Sequence, residues 1–325
     1  MRILGQDILK QGGDIIPLVL PANDLKAPAS ANVSCLSIND TLLINIRNLN
    51  YVLYHSEKVK NAHAFGPLAY LHPEADQTLT TYNYLCQLDD DFNIFAWSLV
   101  DTSEYDVPPL WEFVGLEDIR LIWWDDKLFQ CGVRRDTTTN GVGRMELVEI
   151  QAEGTQVKEV SRARMPAPAP NDSYCEKNWM PVIDMPYHWV KWTNATEVVK
   201  YDPQNKTTTT VVGKDFKDIG TRDLRGGSQV IPYKNHRICI THEVDLYYSE
   251  AGRKDADYWH RVIVWDNDWN IVHASEPFTF MNGKIEFCVG LTIHKGEFVA
   301  TYGFQDNAAY LAKIPTQLMD ELTGL

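Results

Sequence analysis

The sequence lacks several features that would assign it to a class at once. None of its six cysteines forms a Cys-x-x-Cys pair, and no histidine–cysteine cluster has the spacing of a zinc site. No apolar run reaches the length of a membrane-spanning helix. Lysine and arginine number 30 against 44 acidic residues, so the formal net charge is −14. The spacing of cysteines and histidines indicates no metal site, and we expect no other cofactor. We also expect no nucleic-acid partner and no membrane association, because nucleic acids and anionic membranes attract basic surfaces and this chain is acidic.

The cysteines and the N-terminal stretch both bear on the compartment. Four cysteines lie inside apolar, strand-like runs: Cys35, Cys131, Cys239 and Cys288. A thiol in such a run acts as a small hydrophobic group, and free buried thiols are typical of a reducing compartment. The first apolar stretch is short, follows Asp14 and is interrupted by Pro17 and Pro21, which is unlike a signal peptide. We predict a cytoplasmic protein and make no prediction of its oligomeric state.

Long helical periodicity is also scarce, apart from a short C-terminal helix predicted around Leu318 and Leu322. Most of the chain consists of short strands bounded by Asp, Asn, Gly and Pro. An apolar strand, a polar turn and a second apolar strand recur five times. The predicted turns are Asn39-Asp40, Asp125-Asp126, Met185-Pro186, Lys234-Asn235 and Lys295-Gly296. Such residues are typical of hairpin turns, although the third pair is a weaker example.

Five hairpins at intervals of roughly 50 to 85 residues, with further strand pairs between them, indicate radially arranged sheets. We therefore predict an all-β fold, a five-bladed β-propeller with a central funnel. Residues 1–325 form one domain in this interpretation, with a short N-terminal extension. The alternative is a two-sheet sandwich, which also contains many short strands but lacks a blade-like repeat.

The first strand of each blade lines the channel of a propeller, so residues at the starts of these strands meet at one end of it. The starts here are rich in charged residues beside apolar ones, as in Gly115 to Arg120, Glu176 to Asn178 and Leu224 to Ser228. Charges near an apolar wall are costly unless they are paired or used. They therefore either pair around the axis or form a binding site. The many tryptophans suit sugar rings, and equally suit the packing between blades.

Several of these segments resemble motifs of glycoside hydrolase family 130, the β-mannoside phosphorylases and related mannosidases. The segment from Gly115 to Arg120, followed by a strand and Phe129-Gln-Cys-Gly132, resembles the start of its second blade. Glu176 to Pro181 resembles the start of the third blade, and Gly303-Phe-Gln-Asp306 resembles the Gly-x-x-Asp of the last blade. The chain looks like a distant branch of this family.

The resemblance implies a carbohydrate-active enzyme that cleaves or forms a β-mannoside-type bond. Asp118 would be the general acid, which requires a raised pKa, and proximity to Glu117 and Glu286 is expected to raise it. Lys177, with Arg164 or Arg47 as helpers, would hold phosphate. The residues expected to bind substrate are Glu117, Arg120, Asn178, Arg225, His242, Glu286 and Asp306.

The sequence also departs from the family pattern, which keeps other reactions open. Ile119 replaces the usual proline, and Val190 to Trp192 and Thr241 to Glu243 replace motifs of the third and fourth blades. The partners implied are a carbohydrate and either inorganic phosphate or a sugar nucleotide. The alternatives to phosphorolysis are a glycosyltransferase that uses a sugar nucleotide, plain hydrolysis, a non-catalytic glycan-binding propeller and a scaffold for protein partners.

Overall fold

A computed structural model describes residues 1–21, 23, 25–53, 68–70, 78–169, 173–221, 223–248 and 254–325. The described chain is almost entirely β-structure, as predicted. The first part contains β1 (Arg2–Ile3), α1 (Leu4–Lys10), β2 (Asp14–Pro17), β3 (Ala29–Ile38), β4 (Thr41–Leu49), β5 (Tyr51–Leu53), β6 (Leu68–Tyr70), β7 (Leu79–Leu88), β8 (Ile94–Asp101) and β9 (Phe113–Val114).

The middle of the chain contains β10 (Leu116–Trp124), β11 (Lys127–Arg134), β12 (Arg144–Glu153), β13 (Gln156–Arg164), β14 (Met180–Pro181), β15 (His188–Trp192), β16 (Glu197–Asp202), β17 (Thr207–Gly213), β18 (Leu224–Arg225), β19 (Ile231–Tyr233) and β20 (His236–Tyr248). The last part contains β21 (Lys254–Trp265), β22 (Ile271–Ala274), β23 (Phe278–Thr279), β24 (Glu286–His294), β25 (Glu297–Phe304), β26 (Ala308–Ile314) and α2 (Thr316–Thr323).

Antiparallel runs of about four strands recur along the chain, and we call them units 1 to 5. They are unit 1 (β3, β4, β7, β8), unit 2 (β10 to β13), unit 3 (β14 to β17), unit 4 (β18 to β22) and unit 5 (β24, β25, β26, β2). Units 1 and 2 also join through a short parallel pairing of β8 with β13. The N-terminal segment, which the sequence analysis treated as an extension, supplies the last strand of unit 5 and pairs β1 with β23 beside unit 4.

Four of the five predicted hairpin turns are confirmed. Both central residues have positive φ in Asn39-Asp40, Asp125-Asp126, Lys234-Asn235 and Lys295-Gly296. This conformation matches the right-handed twist of the strands on either side. The third turn was wrong by one residue, because the His188 amide donates to the Met185 carbonyl and Pro186 and Tyr187 are the central pair. Pro186 favours the first central position, and Tyr187 has the positive φ of a type II turn.

The hydrophobic core is divided into clusters between consecutive units. One cluster joins units 1 and 2 around Leu36 and Leu121, and another joins units 2 and 3 around Trp124 and Trp189. A third cluster joins units 3 and 4, a fourth joins units 4 and 5, and a fifth joins unit 5 back to unit 1 through Val299. Each unit therefore packs against the units before and after it in the chain.

The two short helices cover the outside of this core. Leu4 and Ile8 of α1 and Leu318 and Leu322 of α2 are buried in the cluster between units 4 and 5, so the predicted C-terminal helix is confirmed. Nowhere in the described ranges is a helix long and apolar enough to cross a membrane. The four strand cysteines are buried free thiols, as expected, and burial raises the pKa of Cys35 to about 12.

Gln229, just after β18, links the innermost strands. Its side-chain amide donates to the Cys35 carbonyl of β3 at 2.7 Å and to the Leu121 carbonyl of β10 at 3.0 Å. Its side-chain oxygen accepts the Leu291 amide of β24 at 2.9 Å. A single buried side chain thus fixes strands of units 1, 2 and 5 around unit 4. This arrangement brings the starts of sequence-distant strands close together.

Candidate active site

Two β-bulges present the central polar pair of the site. The register of β10 shifts between Glu117 and Arg120, and Asp118 has φ +52° there. The register of β3 shifts in the same way around Asn32, which has φ +45°. Bulges re-aim side chains, and Asn and Asp tolerate positive φ better than other non-glycine residues. As a result, Asn32 Nδ2 donates to Asp118 Oδ1 at 2.7 Å.

Arg47 of β4 is the cation at the centre of this pair. Its Nη1 donates to Asp118 Oδ1 at 2.8 Å, and its Nη2 lies 3.3 Å from Glu117 Oε2. Nη2 also donates to the Tyr51 hydroxyl at 2.6 Å, and Nε donates to Thr81 Oγ1 at 3.2 Å. The sequence analysis expected Arg47 to help hold phosphate. Because both carboxylates and two hydroxyls already engage this buried guanidinium, its position favours a role in organising the acids.

The two neighbouring carboxyls have opposite pKa shifts. Burial opposes ionisation of Asp118, but Arg47, Arg120, Lys177 and the Asn32 hydrogen bond together hold its pKa below the usual value. Burial raises the pKa of Glu117, and the nearby Arg47 offsets this only in part. The expectation that Asp118 has a raised pKa was therefore wrong. Glu117 is the carboxyl that accepts a proton more readily.

Arg120 connects three strand starts and is fully buried. Its Nε and Nη2 both donate to the Gly227 carbonyl, at 2.9 and 2.7 Å, and Nη1 donates to the Asp118 carbonyl at 2.7 Å. Nη1 also lies 3.4 Å from Asn178 Oδ1, and the Phe287 ring covers the guanidinium at 5.6 Å. Arg120 and Asn178, both expected to bind substrate, lie beside Asp118. The Arg120 donors are directed to protein oxygens, which suits a positioning role.

Lys177 is the exposed cation of the site. Its side chain is exposed, and among the described residues its ammonium forms no hydrogen bond or ion pair. It is close enough to lower the pKa of both Glu117 and Asp118. A solvent-accessible ammonium beside two carboxyls is available for an anionic ligand.

Arg135 is a second cation near Glu117 that the sequence analysis did not assign to the phosphate site. It contributes to lowering the pKa of Glu117 and lies 4.9 Å from the Phe113 ring and 5.9 Å from the Tyr174 ring. Its Nε donates to the Gly141 carbonyl at 3.1 Å. No sequence motif singled it out, because its role depends on the aromatic residues that meet around it.

The guanidinium of Arg164, a predicted phosphate ligand, is held by protein oxygens. Arg164 ends β13, the outermost strand of unit 2, and its Nη1 reaches back to the Arg134 carbonyl of β11 at 3.3 Å. Its Nη1 pairs with Glu146 at 3.1 Å, and its Nη2 donates to the Val142 carbonyl at 2.9 Å. The sequence could show which end of the strand it occupies but not the partners of its guanidinium.

His242, Arg225 and Asp306 form another side of the site. The buried His242 ring stacks on Tyr258 at 5.2 Å, and desolvation lowers its pKa well below the usual value. Arg225 is the strand partner of His242 and donates its Nε to Asp223 at 3.0 Å. Burial, together with nearby Asp306, raises the pKa of Tyr258 to about 12. Tyr51 and Tyr258 are site residues that the sequence analysis did not include.

Glu286 differs from the other predicted site residues because its carboxylate faces the protein backbone. It is fully buried and accepts the amides of Met281 at 2.8 Å and Gly283 at 2.7 Å, as well as that of Phe280. These bonds partly offset the increase in its pKa caused by burial. Its oxygens hold a loop in place, so Glu286 neither raises the pKa of Asp118 nor contacts the other acids.

The tryptophans near these strands belong mainly to the core. Trp124 and Trp189 pack edge to face at 5.1 Å, and Trp179 is buried with them between units 2 and 3. The inter-blade alternative considered for the tryptophans therefore applies to these three. As for metals, the described residues contain no group of three or more histidines, cysteines and acids placed to hold an ion.

Comparison with solved structures identifies the class of fold. No protein-family profile matches the chain, and no curated protein sequence matches it. Its structure resembles that of a GH130 protein. That protein comes from work showing that the GH130 family of mannoside phosphorylases contains glycoside hydrolases that target β-1,2 mannosidic linkages in Candida mannan. The TM-score is 0.62, with 12% identity over 94% of each chain. The chain thus has the fold of GH130-like proteins, the family that its motifs resemble.

Two further structures define the range of that class. One is the β-1,2-mannobiose phosphorylase of Listeria innocua in complex with β-1,2-mannobiose, with a TM-score of 0.56 and 13% identity over 96% of this chain and 97% of that one. The other is a GDP-Man-dependent mannosyltransferase of Leishmania mexicana, with a TM-score of 0.53 and 12% identity over 96% and 94%. Proteins of this fold thus include phosphorylases, hydrolases and a transferase.

Proposed function

We propose that the chain is a carbohydrate-active enzyme that acts on a mannoside-type bond at the centre of a five-bladed β-propeller. The clusters between consecutive units, including the one from unit 5 back to unit 1, support a closed ring of five blades. The N-terminal strand β2 completes unit 5, which is a means of closing such a ring. The links of Gln229 to three inner strands support a common axis.

The observation that carries the proposal is the meeting of acids and bases from distant parts of the chain. Asn32, Arg47 and Asp118 come from units 1 and 2 and share one carboxylate oxygen. Lys177 precedes unit 3 and influences the same acid. The arrangement places two carboxyls of opposite pKa shift beside an exposed ammonium, which is suited to proton transfer next to an anion.

Asp118 is the proposed general acid, and its low pKa then requires an explanation. The cations that lower the pKa include Lys177, which is exposed and suited to bind a phosphoryl group. An anion bound there offsets the positive charge and raises the pKa of Asp118. Protonation of the acid is thereby coupled to arrival of the anionic reactant.

In phosphorolysis, a phosphate oxygen forms a bond to the anomeric carbon as the glycosidic carbon–oxygen bond breaks. The departing oxygen receives the proton of Asp118, directly or through a sugar hydroxyl, and solvent returns a proton to the carboxylate. Lys177 and Arg135 are the proposed phosphate ligands. Asp306, His242 and Arg225 are proposed to bind the sugar, whereas Arg120, Asn178 and Arg47 position Asp118.

Mannosyl transfer is a second reaction that the same site supports. A sugar nucleotide also places a phosphate group next to the anomeric carbon, so Lys177 and Arg135 suit its diphosphate equally. The structural similarity to a GDP-Man-dependent mannosyltransferase favours testing this reaction. The reverse of phosphorolysis and transfer from a nucleotide differ only in the leaving group.

The test compares wild type with Asp118→Asn and Asp184→Asn. Asp184 pairs with Arg237 at 2.9 Å, away from the proposed site, and is a matched control. The assays are release of mannose 1-phosphate from β-1,2-mannobiose with phosphate, and consumption of GDP-mannose with mannose as acceptor. We expect Asp118→Asn to lose at least about 100-fold in rate, with an unchanged circular dichroism spectrum, while the control keeps its rate. Equal rates in all three proteins would refute the role of Asp118.

A further inference from the structure

A cleft separate from the proposed active site lies between units 1 and 2. Its volume is about 460 Å³, within the ~300–1,000 Å³ typical of small-molecule sites. Its rim includes Thr102 and Ser103 in the segment after β8. Its inner wall includes Thr81 and Leu116, and these two residues separate it from Arg47 and Glu117.

Several polar side chains on the wall of this cleft are deeply buried. Arg134, Asp136 and Glu159 are each no more than 5% exposed and lie on its wall together with Gln130 and Asn83. Asp136 Oδ2 accepts the Gly115 amide at 2.9 Å and lies 3.3 Å from Arg134 Nη1. Asp136 Oδ1, in contrast, is buried without a hydrogen-bond partner among the described residues. A buried oxygen in this state costs about 1–3 kcal/mol unless a donor satisfies it.

The lining alternates between donors, acceptors and apolar groups. Arg134, Gln130 and Asn83 carry N–H groups, whereas Asp136 and Glu159 carry carboxylates. Aliphatic side chains complete the wall, namely Leu99, Val100, Val114 and Val148. An anion is disfavoured because the carboxylates outnumber the single arginine on the wall. Arg162 already donates to both Glu159 oxygens, at 2.6 and 2.7 Å, whereas a hydrocarbon would leave the buried Asp136 Oδ1 without a donor and is therefore disfavoured.

We propose that this cleft is a second binding site, for an uncharged polyhydroxylated ligand of about monosaccharide size. A pyranose offers a hydroxyl donor to Asp136 Oδ1, a hydroxyl acceptor to Arg134, and a C–H face to the valines. This combination matches the composition of the wall. The choice of mannose as the probe rests on the proposed function, whereas the site itself does not depend on any catalytic activity.

The cleft also shares a wall with the proposed active site. Thr81 lines the cleft, and its hydroxyl accepts Arg47 Nε at 3.2 Å. A ligand that hydrogen-bonds to the Thr81 hydroxyl alters one of the hydrogen bonds that hold Arg47 beside Asp118. Occupancy of the cleft is therefore expected to change the affinity of the central site, and the reciprocal effect follows by linkage.

The experiment measures mannose binding by titration calorimetry and by diffraction from mannose-soaked crystals. The variants are Ser103→Trp, which fills the exposed rim of the cleft, Asp136→Asn, which alters its buried acceptor, and Lys177→Ala as a control at the central site. We expect wild type to show mannose in the cleft. Ser103→Trp and Asp136→Asn should each weaken this binding at least tenfold, and Lys177→Ala should leave it unchanged. Because Ser103 is exposed, Ser103→Trp tests the cleft even if Asp136→Asn is poorly folded.

The outcomes separate this inference from the proposed function. Mannose in the cleft of a protein with no turnover of any mannoside would support the second site and count against the enzyme. Water alone in the cleft of soaked crystals would overturn the second site, as would unchanged mannose affinity and stoichiometry in Ser103→Trp. Neither of these results affects the Asp118 assay.

Discussion

Replacing Arg47 with methionine tests the charge balance on which the proposed site depends. The side chain is 5% exposed and ion-pairs with Asp118 at 2.8 Å and Glu117 at 3.3 Å. Its loss leaves two buried carboxyls without their closest cation, while methionine keeps most of the volume. Breaking a buried ion pair costs about 3–5 kcal/mol. We expect the free energy of unfolding at pH 8 to fall by this amount.

The loss of stability in Arg47→Met should also depend on pH. In wild type the Asp118 pKa lies below its unfolded value, so its contribution to stability is present above about pH 4 and is lost as the pH falls. In Arg47→Met burial is less opposed, and we expect both carboxyl pKa values to rise above their unfolded values. The folded variant then binds more protons than the unfolded chain. Its deficit relative to wild type should therefore be smaller at pH 5 than at pH 8, by at least about 1 kcal/mol.

The assay is urea unfolding followed by tryptophan fluorescence at pH 5 and pH 8. Arg237→Met is the matched control, because Arg237 pairs with the partly exposed Asp184 at 2.9 Å. Such a pair contributes no more than about 1 kcal/mol. A loss in Arg47→Met no larger than in the control, or one that is equal at both pH values, would refute the charge balance that we assign to the two acids.

Three further substitutions test buried residues that surround the proposed active site. In Gly303→Ala the new methyl group would lie 2.2 Å from Asn32 Oδ1, so we expect a loss of about 1–3 kcal/mol in unfolding experiments and a lower rate. Gly213→Ala, with open space around it, should show neither effect. In Glu286→Gln the backbone donors lose an acceptor, so the melting temperature should fall. The catalytic rate at 25 °C should stay within about twofold of wild type. A large loss of rate in a fully folded variant would contradict the structural role of Glu286. Burial lowers the pKa of His260 to about 3, so the free energy of unfolding of wild type falls as the pH drops below about 6.5. His260→Gln should reduce the slope of unfolding free energy against pH by up to about 1.4 kcal/mol per pH unit. Parallel curves of unfolding free energy against pH for the two proteins would contradict this.

Sequence reasoning predicted the all-β class and four of the five hairpin turns because these depend on neighbouring residues. Turn pairs such as Asn39-Asp40 and Asp125-Asp126 favour positive φ wherever they occur, and the apolar strands on each side set the hairpin. The third turn was misplaced because Pro186 occupies the first central position of the turn rather than the second. Local chemistry was correct there, and only the register was wrong.

The candidate site was predicted less completely than the fold. The meeting of Asp118, Arg120 and Asn178 follows from their places at strand starts, and Arg120 contacts the other two in the structure. The direction of each side chain does not follow from position alone. Glu286 is adjacent to the same strands, but its carboxylate is bound by a loop, and Arg164 lies at the expected end of its strand with its guanidinium bound by Glu146 and backbone carbonyls.

The sequence by itself determined that this protein is an all-β chain with acids and bases at its strand starts, since strand periodicity, turn chemistry and composition are local properties. Tertiary structure decided the opposite directions of the Glu117 and Asp118 pKa shifts, because these depend on burial and on Arg47 and Lys177 from other parts of the chain. It also created the cleft between units 1 and 2, whose wall joins residues from several strands of both units. Distances between charges separated by many residues exist only after the strands have packed.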